Sequence, residues 1–339
     1  LKPGWIQKLL GFTHEALLAV LLIILLLVAK QVHPSFVTAR MQAGLYSQIW
    51  DAALLAIPMT FIIITGGIDL SVGAIMSLAS VMLGIALVDW HWSMWAAAIL
   101  AVGVGLLCGM LNGFFITKVK VHPLIVTLAT LSAFRGLAEG ISLPNTYEIP
   151  DQYYTIAKSA VHWRLFHLPE FYAVGDRTIP LYGLQIAGWI FVIAAVVSMV
   201  ILAKTPFGRT LYAIGYNETA ARLSGLRVQL VKLAIYSLSG IMAGVVAINV
   251  SAGQSTAKAD VGSGMELDVI TAVVLGGTSI FGGRGRILGT ILGVLLIHET
   301  RQFVKIHYHK DEWVSVVLGF LLIIAVAANA LLGRNSSKK

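Results

Sequence analysis

Apolar residues fill the chain in long blocks separated by short polar or basic gaps. Ten blocks approach the roughly 20 residues that a membrane-crossing helix needs. They are Ala16–Val32, Leu45–Thr65, Leu70–Val88, Trp92–Thr117, Leu124–Ile141, Leu184–Ala203, Leu233–Val250, Asp268–Phe281, Ile287–Phe303 and Trp313–Leu332. Pro58 lies inside the second block and predicts a kink or break there. The eighth is short for a straight crossing, so nine crossings with one re-entrant segment is the competing count. The expectation is an all-α polytopic membrane protein of about ten transmembrane helices, one domain over residues 1–332, with a disordered tail over 333–339.

Composition agrees. Hydrophobic residues make up 58% of the 339 and charged residues 12%, with a mean hydropathy of +0.84. A soluble domain carries about a quarter charged residues, so this chain cannot cover a water-facing surface. The net charge of +8 falls in the gaps between blocks, which is the pattern of retained loops and excludes a nucleic-acid footprint. A single cysteine, Cys108, allows neither a disulfide framework nor a thiol metal site. The first block lacks a small-residue cleavage site and is read as retained, not as a signal peptide.

An even number of crossings places both termini on one side. With that side cytoplasmic, the inner segments hold fourteen of the 24 lysines and arginines. This bias predicts cytoplasmic N- and C-termini.

The densest basic segment, Lys204–Lys232, then lies in the cytoplasm with Lys204, Arg209, Arg222, Arg227 and Lys232. Its middle reads as a short helix. Asn217 is a good N-cap, Glu218 occupies the first turn beside Thr219, Ala220 and Ala221, and Gly225 supplies a left-handed stop after Ser224. Glu218 and Arg222 are four apart in the favourable orientation. About two turns of helix do not persist alone in water. From the residues, two readings stand: an amphipathic helix on the lipid surface, or a docking helix for a cytoplasmic partner.

Glycines carry a weak internal repeat. Gly66–Gly67 with Gly73 matches Gly276–Gly277 with Gly283, and the ladder Gly105, Gly109, Gly113 matches Gly285, Gly289, Gly293. A glycine every four residues bares one helix face to a neighbouring backbone, and ladders in the fourth and ninth blocks fit a duplicated five-helix unit. The loop Ser142–Pro180 holds Tyr147, Tyr153, Tyr154, Trp163, Phe166, Phe171 and Tyr172. It reads as an aromatic belt on the outer leaflet or as a landing surface for an outer partner.

Candidate chemistry is sparse. No G-x-x-x-x-G-K-[ST] loop occurs, and Gly276–Gly285 lacks its lysine, so the chain holds no nucleotide site. The histidines form no compact ligand set, and no metal site or catalytic residue is expected. Acids inside blocks are few, against an ion-coupled pathway. Asp69 stands out in TGGIDLSVG, residues 65–73. Either the paired glycines break a helix and Asp69 caps its resumption, or a discontinuous helix presents Thr65, Gly66, Gly67, Asp69, Ser71 and Asn112 to a polar solute, with Gly276 and Gly277 at the matching turn.

Together GGIDLSVG (66–73), NETAARLSGL (217–226) and LGGTSIFGGRGRILGTILG (275–293) resemble the permease subunits of ABC sugar importers of the ribose, xylose and rhamnose type, over about Leu45–Ala330. The resemblance implies a bacterial inner-membrane permease domain that works with a second permease copy or paralogue, two cytoplasmic ATPase subunits and an extracytoplasmic sugar-binding protein. ATP and Mg would sit on the ATPase partner, and this chain would not itself be an enzyme. By that likeness Asn217, Glu218, Ala220, Ala221, Arg222, Ser224, Gly225 and Leu226 form a coupling helix that enters a groove on the ATPase. The charged segment His298–Glu312 points towards rhamnose- or autoinducer-2-like relatives. The rival readings are a related permease for nucleosides or branched-chain amino acids, and an ion-driven secondary transporter.

Overall fold

A helix that is apolar on every side must be surrounded by protein or lipid, and α3 (Ile49–Ile64) is surrounded by protein. Every residue from Ala53 to Thr65 is buried. The computed structural model describes residues 4–46, 48–142, 146–150, 160–161, 171–174, 177–180 and 184–337. Preceding α3 are α1 (Gly4–Val32) and the short α2 (Ala39–Tyr46). After it come α4 (Val72–Val88), α5 (Met94–Phe114) with a π-helical extension Phe115–Val119, and α6 (Pro123–Ser142). The second half contains α7 (Ile186–Lys204), α8 (Pro206–Tyr216), α9 (Glu218–Leu223), α10 (Val228–Gln254), α11 (Met265–Leu275), α12 (Ile287–Tyr308) and α13 (Asp311–Ser337).

Each apolar block contains a helix, although the helix of the eighth ends at Leu275 and leaves residues 276–281 outside any helix. Six of the described helices are long and apolar enough to cross a membrane, and Ile49–Ile64, Val72–Val88 and Glu312–Ala327 are shorter apolar stretches. α3 runs as one helix through Pro58, so the chain does not break there, and α7, α10, α11 and α12 pack around it. The last helix reaches Ser337, so the segment expected to be a tail from residue 333 begins inside α13.

The first glycine ladder has a clear partner. Gly105 and Gly109 lie against Gly240 and Tyr236 of α10, and Gly113 against Leu233, which brings the α5 and α10 backbones together. In the second ladder, Gly289 and Gly293 lie against Gly276 and Ala272. The paired-glycine turns are not equivalent positions, however. Gly66–Gly67 joins the second apolar block to the third, whereas Gly276–Gly277 joins the eighth to the ninth. A five-helix duplication would have to pair different junctions.

Contacts sort the helix ends into two groups. At one end Gly283 N–H donates to the Ile64 carbonyl at 2.8 Å, His14 Nε2 pairs with the Leu275 carbonyl at 3.1 Å, and Arg286 meets Glu15 at 3.4 Å. At the other end Asn249 donates to Asp51 at 2.6 Å and His33 pairs with His307 at 3.2 Å. There too, strand β1 (Tyr147–Glu148) pairs antiparallel with β6 (Thr256–Ala257). Between them in the chain, β2 (Ala160–Val161) pairs with β5 (Leu184–Gln185), and β3 (Phe171–Val174) with β4 (Arg177–Pro180). Tyr147 does not rest on a leaflet: it is buried against Gly84 of α4. Tyr153, Tyr154, Trp163 and Phe166 lie outside the described residues.

Candidate functional site

Two assemblies of polar residues merit description, one at an end of the bundle and one inside it. The first is the elbow α8–α9. Thr205 caps α8 by accepting from Gly208 N–H at 3.2 Å, with Pro206 in the first turn where its missing donor costs nothing. Asn217 then ends α8 and caps α9, accepting from Ala220 N–H at 2.9 Å. Gly225 adopts φ +81° to stop α9, as its lack of a Cβ permits.

The elbow is held from below on three sides. Ala221 is buried against Ile214 and Val228, and the partly buried Leu226 packs on the same small cluster. Tyr212 Oη donates to the Gly285 carbonyl at 2.9 Å. Gly215 lies directly against the Ile64 carbonyl and Gly283, so a side chain there would push α8 off the end of α3. Glu218 bonds Arg222 at 3.0 Å and Lys232 of α10 at 2.5 Å. Although partial burial opposes it, these two cations hold the Glu218 carboxyl below its ordinary value.

The outer surface of the elbow is open. Asn217, Ala220, Arg222, Ser224 and Gly225 are exposed, as are Tyr216 at 89% and Leu223 at 83%. A cavity of about 440 Å³ lies between α8 and α9, lined by Tyr212, Tyr216, Asn217, Ala220, Ser224 and Gly283 among others. Tyr216 lines this cavity, and Leu223 is exposed on the same short helix as Ala220 and Ser224. Sequence reasoning missed Tyr216 and Leu223. It also grouped Ala221 and Leu226 with the outward residues, although Ala221 packs inward with Ile214 of α8 and Val228 of α10.

The second assembly is the break between α3 and α4. Thr65 turns its hydroxyl back to the Ile62 carbonyl at 2.8 Å, Gly66 takes φ +77°, and Gly67 lies beneath the Tyr236 hydroxyl. Asp69 does not cap α4 directly. One carboxylate oxygen accepts from the Ser71 N–H at 3.0 Å and hydroxyl at 2.7 Å, and the other from Ser239 of α10 at 2.9 Å. Asn112 of α5 donates to Ser71 at 2.8 Å. The sequence-selected Asp69, Ser71 and Asn112 are therefore brought together, along with Ser239, but all four are fully buried. Gly276 and Gly277 lie elsewhere, at the end of α11 beside α12 and His14.

The elbow at the surface and the hydrogen-bonded break inside are both tied to α10, the first through Lys232 and the second through Ser239. A sequence-family model described as "Branched-chain amino acid transport system / permease component" matches residues 41–326. The chain belongs to that permease family. The permease is 39% identical over 305 residues to ribose import permease protein RbsC of Bacillus subtilis (strain 168), covering 90% of this chain and 89% of that one. It is 32% identical over 320 residues to autoinducer 2 import system permease protein LsrD of Photorhabdus temperata, covering 94% and 91%. Ribose import permease protein RbsC of Escherichia coli (strain K12) is 32% identical over 307 residues, covering 90% of each chain. No solved structure matches it. The likeness to sugar-importer permeases read from the three motifs holds across the chain, and the permease is a multi-pass membrane protein of transport systems.

Proposed function

We propose that this permease is the membrane subunit of an ATP-driven importer that carries a monosaccharide across the bacterial cytoplasmic membrane. It works with a second permease copy or paralogue, two cytoplasmic ATPase subunits that hold ATP and Mg, and an extracytoplasmic sugar-binding protein. The observation that carries this reading is the α8–α9 elbow. Exposed Tyr216 and Leu223 flank its groove, while Gly215 and Tyr212 rest on the ends of α3 and the loop before α12. Force applied from outside reaches the membrane helices through those contacts. The relatives named for ribose and autoinducer 2 favour a sugar-like solute over a branched-chain amino acid.

Ten crossings with cytoplasmic termini are part of the same reading. His14, Ile64 and Gly283 gather at the elbow end, while Asp51, Asn249, His33 and His307 gather at the other, in the alternation that ten passes require. α11 has only 11 residues, about 16 Å, so the non-helical segments beside it complete its pass. The basic residues at the elbow end support a cytoplasmic placement for it. The contacts also support a duplicated unit in register with the ladders: α4 packs on α5 and α6 as α11 packs on α12 and α13.

The deciding experiment is reconstitution with the ATPase and binding-protein partners in vesicles. Uptake of labelled D-ribose that needs ATP and both partners is expected. Uptake by the permease alone on an ion gradient would refute the reading.

A further inference from the structure

An apolar slot of about 280 Å³ opens between α5 and α7, at the end of the bundle opposite the elbow. Leu54 of α3, Leu83 of α4 and Ile248 of α10 form its floor, and Trp95 of α5 and Ile190 of α7 stand at its mouth. Asn249 brings one amide to the lining and donates it to Asp51 at 2.6 Å. Val245 and Ala252 both line the slot seven residues apart on α10, so it runs about 10 Å along the helix axes. That length leaves a cross-section of about 30 Å², too narrow for a helix of another chain, which is about 10–12 Å across.

The medium at the mouth follows from the two helices that flank it. α5 and α7 are both long and apolar enough to cross a membrane. Their outward faces carry Ile99, 73% exposed, and Ile193, 60% exposed, which meet hydrocarbon in a bilayer. The slot is continuous with those faces. Trp95 is the second residue of α5, and Trp90 and Trp92 are exposed just before it. Tryptophans settle at the boundary between hydrocarbon and headgroups, so the mouth starts at headgroup depth and the slot descends from there. Left empty, its apolar walls would forfeit their dispersion contacts, and water gains too few partners there to fill it.

We propose that the slot is a binding site for one acyl chain of a phospholipid from the leaflet opposite the elbow. The headgroup stays beside the tryptophans and the chain lies parallel to α5 and α7. At about 30 Å³ for each methylene, close to the volume of a water molecule, the slot takes the first nine or so carbons. The chain completes the packing of α7, which leads through Thr205 and Pro206 into the elbow. This site is separate from the solute path and does not depend on which solute is carried.

The test uses the intact permease in vesicles of phosphatidylethanolamine and phosphatidylglycerol, doped with a phosphatidylcholine that carries a diazirine on one acyl chain. After irradiation, attached lipid is located by peptide mapping. Adducts are expected on the floor at Leu83, which is only 3% exposed, and at Ile248, besides those on the outward Ile99 and Ile193. Adducts confined to outward residues overturn the proposal, and are what a side chain of a second copy seated in the slot would leave. Ala98→Phe, on the α5 wall, puts a ring in the slot and is expected to cut floor adducts about tenfold while sparing Ile99 and Ile193. Floor adducts that persist undiminished in a folded Ala98→Phe also overturn it. Should that variant fail to fold, Ile190→Trp fills the slot from the α7 wall and is read in the same way. If neither variant folds, the adduct map of the parent permease decides.

Discussion

Lys232 Nζ donates to Glu218 Oε2 at 2.5 Å, joining the six-residue α9 to the foot of the 27-residue α10. Eleven per cent of the lysine side chain is exposed, and that carboxylate is the acid it meets there. The same α10 holds Asp69 through Ser239. One helix therefore connects the exposed elbow with the buried break. Glu218→Gln is expected to weaken the foot joint by about 1–3 kcal/mol, since a charge-assisted bond is lost beside a nearly buried lysine. Partner-stimulated ATP hydrolysis and uptake in the reconstituted assembly are expected to fall together. Unchanged values of both would show that the joint transmits nothing.

The same pair sets a pH dependence. Glu218 has its carboxyl held below the ordinary value by Lys232 and Arg222 against partial burial. A group depressed in the folded state contributes stability above its unfolded value of about 4.3, and loses it as pH falls through the lower folded value. Thermal unfolding of the parent permease and of Glu218→Gln is therefore expected to differ by a constant amount from pH 7 to about 5, with the difference shrinking below about 4. A gap that widens on acidification would contradict the assignment.

Substitutions on the elbow separate its outer and inner faces. Leu223→Ala removes an exposed side chain and is expected to leave thermal unfolding within about 0.5 kcal/mol of the parent. ATPase binding, measured by titration in detergent, is expected to weaken. Ala221→Trp, in contrast, places a large ring in the seam with Ile214 and Val228 and destabilises the permease by about 1–3 kcal/mol before any partner is added.

The segmentation of the chain was legible because each apolar block is bounded by basic or glycine-rich gaps, and the Asn217 cap and Gly225 stop are local signals. The inner face of α9 was harder to read, since Ala221 is small and carries little hydropathy signal in six residues. Asp69 was singled out correctly as unusual, yet its partner Ser239 lies 170 residues away and leaves no mark on sequence spacing. Pro58 allowed either a kink or a break, and only the neighbours packed on α3 show that the helix continues past it. The two paired-glycine turns looked alike, and only their places in the order of helices separate them.

Close backbone approach makes the sharpest stability prediction. Gly105 on α5 and Gly240 on α10 lie face to face, each meeting the other's backbone where a Cβ would project, whereas Gly103, two residues earlier on α5, has nothing within 4 Å of that position. Gly105→Ala cannot be absorbed by a side-chain rotation, because the obstacle is a carbonyl of the opposing helix. The two helices must separate along their longest contact, at a cost of about 1–3 kcal/mol. Gly103→Ala meets no neighbour and gains about 0.5–1 kcal/mol from the better helix propensity of alanine. Unfolding midpoints in detergent are therefore expected to move in opposite directions for two identical substitutions two residues apart. Equal shifts would mean that α5 and α10 do not meet along this glycine face.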